Sequence, residues 1–171
     1  MTPKIKTRTT LQEVSRSVEG LNSLSKKILK NMDAQIRAVI QSDSEQVEQL
    51  SEEHIDLMTR FNNFEKSLKV ELESILQTND RAVPPYRLEH LKLVEPDEEE
   101  TIDRWKNRLS QMVEALQKKQ NHLTSLLKFA LSENSRFMKS IYSLRNEKEL
   151  NYARNGDTTG VSNGVAVNQE V

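Results

Sequence analysis

Residues 97–150, DEEETIDRWKNRLSQMVEALQKKQNHLTSLLKFALSENSRFMKSIYSLRNEKEL, contain neither proline nor glycine. Their apolar side chains recur every three or four residues: Ile102, Trp105, Leu109, Met112, Leu116, Leu123, Leu127, Ala130, Phe137, Ile141 and Leu144. That spacing predicts one unbroken helix of roughly 80 Å, several times the length of an average globular helix. A rod this long cannot fold around itself. It has to lie along other helices, and the surface they leave uncovered is open to a partner.

Upstream of the rod, Pro96 sets its boundary and Asp97-Glu98-Glu99-Glu100 open it. Acids in a first turn suit the free amides and the positive end of the helix dipole, so they read as capping and not as a Ca²⁺ or Mg²⁺ loop. Residues 78–96 form a linker in which Pro84-Pro85 stops any helix. Leu88, Leu91, Leu93 and Val94 can pack back from it, as a short helical turn or as an extended segment.

Further upstream, two helices are expected at about 11–41 and 44–77. The first shows a stripe of Leu11, Val14, Val18, Leu21, Leu24, Ile28, Met32, Ile36, Val39 and Ile40, with Gly20 inside it. The second shows a heptad seam of Val47, Leu50, His54, Leu57, Phe61, Phe64, Leu68, Leu72 and Ile75. Between them Ser42-Asp43-Ser44-Glu45 reads as a tight turn in which Ser42, Asp43 or Ser44 can cap. A short turn makes the pair antiparallel. The expected fold class is therefore all-α: an elongated antiparallel helical hairpin plus a long C-terminal helix, a three-helix, coiled-coil-like bundle. A flexible N-terminus, 1–10, and a disordered tail, 151–171, flank a helical domain spanning 11–150. The tail is Asn-, Gly-, Thr- and Val-rich and has no periodicity.

Composition supports elongated helices over a broad globular core: 35% hydrophobic, 30% charged, with mean hydropathy −0.71. Lys+Arg 25 against Asp+Glu 26 leaves no basic field for nucleic acid. The absence of cysteine excludes disulfides and thiol chemistry. No window approaches the ~18 apolar residues of a membrane span, and the basic start lacks the apolar run of a signal peptide. A soluble cytoplasmic protein without membrane insertion is the expectation.

Chemistry finds little footing. His54 lies in the second helix's seam, where it can pack or pair across the interface, and His90 and His122 are isolated. None has a ligand partner at helical spacing, so no metal and no cofactor is expected. With no phosphate loop, nucleophile elbow or paired carboxylates, no enzyme is expected either.

What remains is surface. From Ile102 to Leu123 the apolar stripe of the long helix spans roughly 100°, one packing face. From Leu126 on, Leu126, Leu127, Ala130, Leu131, Phe137, Met138, Ile141, Tyr142 and Leu144 cover about 160°, and Phe129 widens the arc to about 220°. The surplus either meets the first helix and the linker or forms a groove for an amphipathic partner helix. Self-association, as a possible homodimer, uses the same surface. From Lys128 to Arg154 six cations stand against three acids.

Together these features resemble the FlgN-type flagellar export chaperones. The likeness is carried by the hairpin with its polar turn Ile40-Gln41-Ser42-Asp43-Ser44 and by the acidic start leading into Ile102-Asp103-Arg104-Trp105. It is carried further by the apolar long helix with Asn121 and Asn134, and by Asn151-Tyr152-Ala153-Arg154-Asn155-Gly156. The last is similar to the family's Tyr-Gly-x-x-Gly signature, with Ala153 in place of its first glycine. The resemblance implies a cytoplasmic chaperone that binds the amphipathic C-terminal helical segment of flagellar hook-associated (junction) proteins. It also implies delivery to the cytoplasmic domain of the type III export gate, with Tyr152 docking there. The expected substrate-binding residues are Leu126, Leu127, Phe129, Ala130, Leu131, Asn134, Phe137, Met138, Ile141, Tyr142 and Leu144. The competing expectation is a structural coiled-coil dimerisation or adaptor protein. A heptad register held past Leu123 would favour it, yet Lys119 falls at a seam position.

Overall fold

The computed structural model describes residues 4–79 and 84–154, with side chains over 11–79 and 84–146. Three long helices account for most of them: α1 (Lys4–Ile40), α2 (Ser44–Asn79) and α3 (Glu99–Arg154). No strand occurs among the described residues, and the all-α expectation holds. Several boundaries differ. Helix α1 begins at Lys4, seven residues before the first residue of its apolar stripe, Leu11. Helix α3 begins at Glu99, after a 3₁₀ turn at Pro96–Glu98, and continues through Asn151 to Arg154. The expectation of a disordered tail otherwise falls on residues outside those described.

The reversal between α1 and α2 takes three residues. Ser42 adopts φ 57, the left-handed conformation that lets a chain leave a helix. The Asp43 amide donates to the Ala38 carbonyl at 3.0 Å and the Ser42 amide to Val39 at 3.1 Å. These satisfy carbonyls that the last turn leaves open. Asp43 then caps α2, its Oδ1 accepting from the Gln46 amide at 3.0 Å. Of the three residues able to cap, Asp43 is the one that does.

The hairpin closes on its predicted stripes. Val14, Val18, Leu21, Leu24, Ile28, Met32 and Ile36 of α1 are buried, as are Leu57, Leu68, Leu72 and Ile75 of α2, and Leu76, outside the expected seam, is buried with them. Ile40 is 67% exposed and Ala38 is buried in its stead, because the chain leaves the helix just after Ile40. Gly20 sits where α1 meets the ring of Phe64. A Cβ there would lie 2.5 Å from the ring, so only glycine allows so close an approach.

Two polar layers cross this interface. Ser17 donates to Glu71 Oε1 at 2.9 Å, and burial pushes the Glu71 carboxyl above its ordinary value, against that hydrogen bond. In the second layer, Asn31 Nδ2 donates to the Leu50 carbonyl at 3.0 Å and to Glu53 at 3.1 Å. Gln35 Nε2 donates to Asn31 Oδ1 at 2.6 Å, and His54 Nδ1 lies 3.3 Å from the same oxygen. Burial lowers the His54 pKa. His54 thus pairs across the interface, in a network whose amide groups are satisfied only when the two helices are in this register.

The linker packs back as a 3₁₀ helix, Leu88–Leu93. Leu91 is fully buried in the cluster that holds Val14, Ile75 and Ile102, and Tyr86, Leu88 and Val94 lie against it. Leu93 points largely outward at 49% exposure. Lys92 clasps Glu99 at 3.1 Å and Asp103 at 2.7 Å, and Lys106 reaches Glu89 at 2.6 Å. The acidic opening of α3 is thus tied to the linker as well as placed at a helix start.

Residues 99–128 of α3 lie on the hairpin, parallel to α1. Ile102 joins the cluster of Val14 and Val18, Lys119 pairs with Asp33 at 2.6 Å, and Leu123 joins the cluster of Ile36 and Leu57. In that register the end of α1 falls beside Leu126 and Leu127, both packed against the second cluster.

Candidate functional site

The chain divides into two units with the boundary between Lys128 and Phe129. In the second unit the described part of α3 has an unusual surface. Phe129 is 64% exposed, Phe137 66%, Tyr142 56% and Leu144 57%. Leu131, Met138 and Ile141 are exposed with them, Ala130 is half-buried, and every described residue from Leu131 onward is exposed.

At 100° per residue, Leu144, Phe137, Ala130, Ile141, Asn134, Arg145, Met138, Leu131 and Tyr142 follow one another around an arc of about 160°, with Phe129 beyond Leu144. Asn134, also exposed, sits near its centre. The arc carries on the order of 600 Å² of apolar surface, at or above the largest patch on an ordinary monomer. Around it the helix is polar: Arg136 holds Glu133 at 2.9 Å, and the Ser143 hydroxyl donates to the Ser140 carbonyl at 2.9 Å.

No protein-family model, curated protein or solved structure matches this chain. What the chain does is therefore read from its own surface.

Of the residues expected to bind a partner, Phe129, Leu131, Asn134, Phe137, Met138, Ile141, Tyr142 and Leu144 are exposed on the described part of α3. Ala130 is half-buried. Leu126 and Leu127 are different: they are half-buried against the hairpin and contribute to its packing. The backbone of Tyr152 is helical, and its side chain lies outside those described. Sequence reasoning left open whether the surplus apolar residues meet the first helix and the linker. Beyond Lys128 none of the described ones is buried.

Among the described residues no three His, Asp or Glu side chains converge as a metal site, and no helix is long and apolar enough to cross a membrane. A helix face of this width is able to bury its apolar arc against another amphipathic element.

Proposed function

We propose that this protein is a cytoplasmic export chaperone of the FlgN type, holding the amphipathic C-terminal helical segment of flagellar hook-associated proteins on the exposed face of α3. The observation that carries this reading is the run of exposed large apolar side chains from Phe129 to Leu144 on a helix whose earlier part is anchored to a hairpin. A junction subunit's terminal helix carries an apolar stripe destined for the assembled filament and is aggregation-prone while free. Covering it delays association until export.

The magnitudes suit transient holding. Burying about 600 Å² of apolar surface gives a gross gain on the order of 15 kcal/mol. Lost rigid-body freedom and side-chain ordering take back roughly half, which leaves an affinity on the order of micromolar. A cargo held that way can be released at an export gate.

Delivery is assigned to Tyr152, just past the apolar arc, as the single aromatic anchor for the gate's cytoplasmic domain. A tyrosine offers large apolar area with few rotamers to freeze. The test compares the parent chain with Tyr152→Ala, measuring binding both to a junction-protein C-terminal segment and to the isolated gate domain. The parent is expected to bind both, and the variant to keep the segment while losing about tenfold or more toward the gate. Failure of the parent to bind the segment would remove the chaperone reading. Loss of segment binding alone in the variant would remove the docking role.

A further inference from the structure

We infer that Ser17 and Glu71 form a proton-sensitive clasp between α1 and α2, which tightens the hairpin as the pH falls. Glu71 is a half-buried acid beside Leu68, Leu72 and Ile75, all three of them buried. Ser17, itself 4% exposed, donates to Glu71 Oε1 at 2.9 Å. The other oxygen, Oε2, is buried as well, and no donor among the described residues reaches it. A carboxylate held this way gives up water at both oxygens and regains a hydrogen bond at only one. The charges around it do not repair that loss. From α1, Glu13 acts against the ionised form and Arg16, more weakly, in its favour. On α2 the side chains one turn away are Ser67, Leu68, Ser74 and Ile75, none of them charged. The linker and α3 bring Leu91 and Ile102 to the same cluster and no charge that acts on Glu71.

Protonation removes the charge and keeps the contact. A carboxyl protonated on Oε1 donates to Ser17 Oγ, and the serine hydroxyl is free to rotate onto a backbone carbonyl one turn back. Burial and Glu13 raise the affinity of Glu71 for a proton, outweighing Ser17 and Arg16, which lower it. The folded chain therefore binds this proton more tightly than the unfolded chain does. The stability so gained is complete below the ordinary glutamate range and is lost as the pH rises through the folded value. His54 works in the opposite sense: burial lowers its proton affinity, so its charging in acid opposes folding. As the pH falls, the layer at Glu71 tightens while the layer at His54 loosens.

Glu71→Gln keeps the shape of the side chain and cannot ionise, so its difference from the parent cancels His54 and the other carboxylates. Thermal unfolding of the full chain, followed by dichroism, is expected to show the variant about 3 °C more stable at about pH 7.5. At about pH 4 the gap is expected to fall to less than half of that. Ser17→Ala, which removes the donor to the ionised form, is expected to lose more Tm at about pH 7.5 than at about pH 4. In the parent, the Glu71 carboxyl carbon, followed by NMR over the same range, is expected to titrate above the chain's exposed glutamates. A gap that does not change with pH, or a Glu71→Gln variant less stable than the parent at about pH 7.5, overturns the clasp. So does an equal loss for Ser17→Ala at both pH values, or a Glu71 carboxyl that titrates with or below the exposed glutamates. That last measurement needs no variant and decides the matter if Glu71→Gln does not fold.

Discussion

A chain carrying Phe137→Asp and Met138→Asp is expected to fold as the parent does and to lose an amphipathic partner helix, by about 100-fold or more in affinity. Both side chains are exposed, at 66% and 49%, so neither contributes to a core. Exposed substitutions of this kind shift stability by about 0.5 kcal/mol or less, and aspartate adds a few tenths in helix propensity. Binding responds differently. A central aromatic in an apolar interface is worth about 2 kcal/mol or more when truncated, and a carboxylate placed there must be desolvated as well. Phe137→Ala with Met138→Ala removes the same surface while raising helix propensity, which separates lost contact from lost helix. Calorimetric titration with the partner segment and the dichroism at 222 nm check both halves. Capture that survives in an intact helix would place the binding site elsewhere.

The reverse dissociation is expected at Ile102. Its side chain is fully buried in the cluster that also holds Val14, Leu76 and Leu91, and it fastens the start of α3 to hairpin and linker together. Ile102→Ala is expected to cost about 2–4 kcal/mol, transfer and cavity terms outweighing the small gain in helix propensity. For a domain of this size that lowers Tm by roughly 10 °C. Ile141→Ala, made at a residue 43% exposed on the same helix, is expected to leave Tm within about 2 °C. Thermal unfolding followed by dichroism decides. Equal losses at the two positions would mean that Ile141 is packed in solution.

These two expectations divide one helix by a criterion that periodicity only half reveals. Apolar spacing located all three helices and the buried stripes of α1 and α2, because a residue every three or four positions must face something. It also located the turn, where short polar residues compete for capping. It could not tell what each stripe faces. Leu126 and Leu127 belong to the same run as Phe129 and Leu131, yet the register set by Asp33–Lys119 brings α1 alongside them. Lys119 at a seam position looks like a flaw in the packing stripe until its partner, far off in sequence, is placed beside it.

The polar layers were similarly out of reach. Asn31 and Gln35 have no apolar period, and their burial makes sense only with Leu50, Glu53 and His54 across the interface. Leu91 carried a weaker signal, one leucine among several in a proline-bounded linker, and it proved to be fully buried.

The claim at the centre of this account is that residues 129–146 of α3 are the surface a partner covers. Amide hydrogen exchange on the full chain, with and without the C-terminal helical segment of a hook-associated protein, addresses it most directly. A solitary helix opens readily, so these amides are expected to exchange fast alone and to slow at least tenfold when the segment is bound. The core of the hairpin, slow from the start around Ile28 and Leu76, is expected to change little. Protection confined to the hairpin, or bound segment with residues 129–146 still exchanging as before, would contradict it.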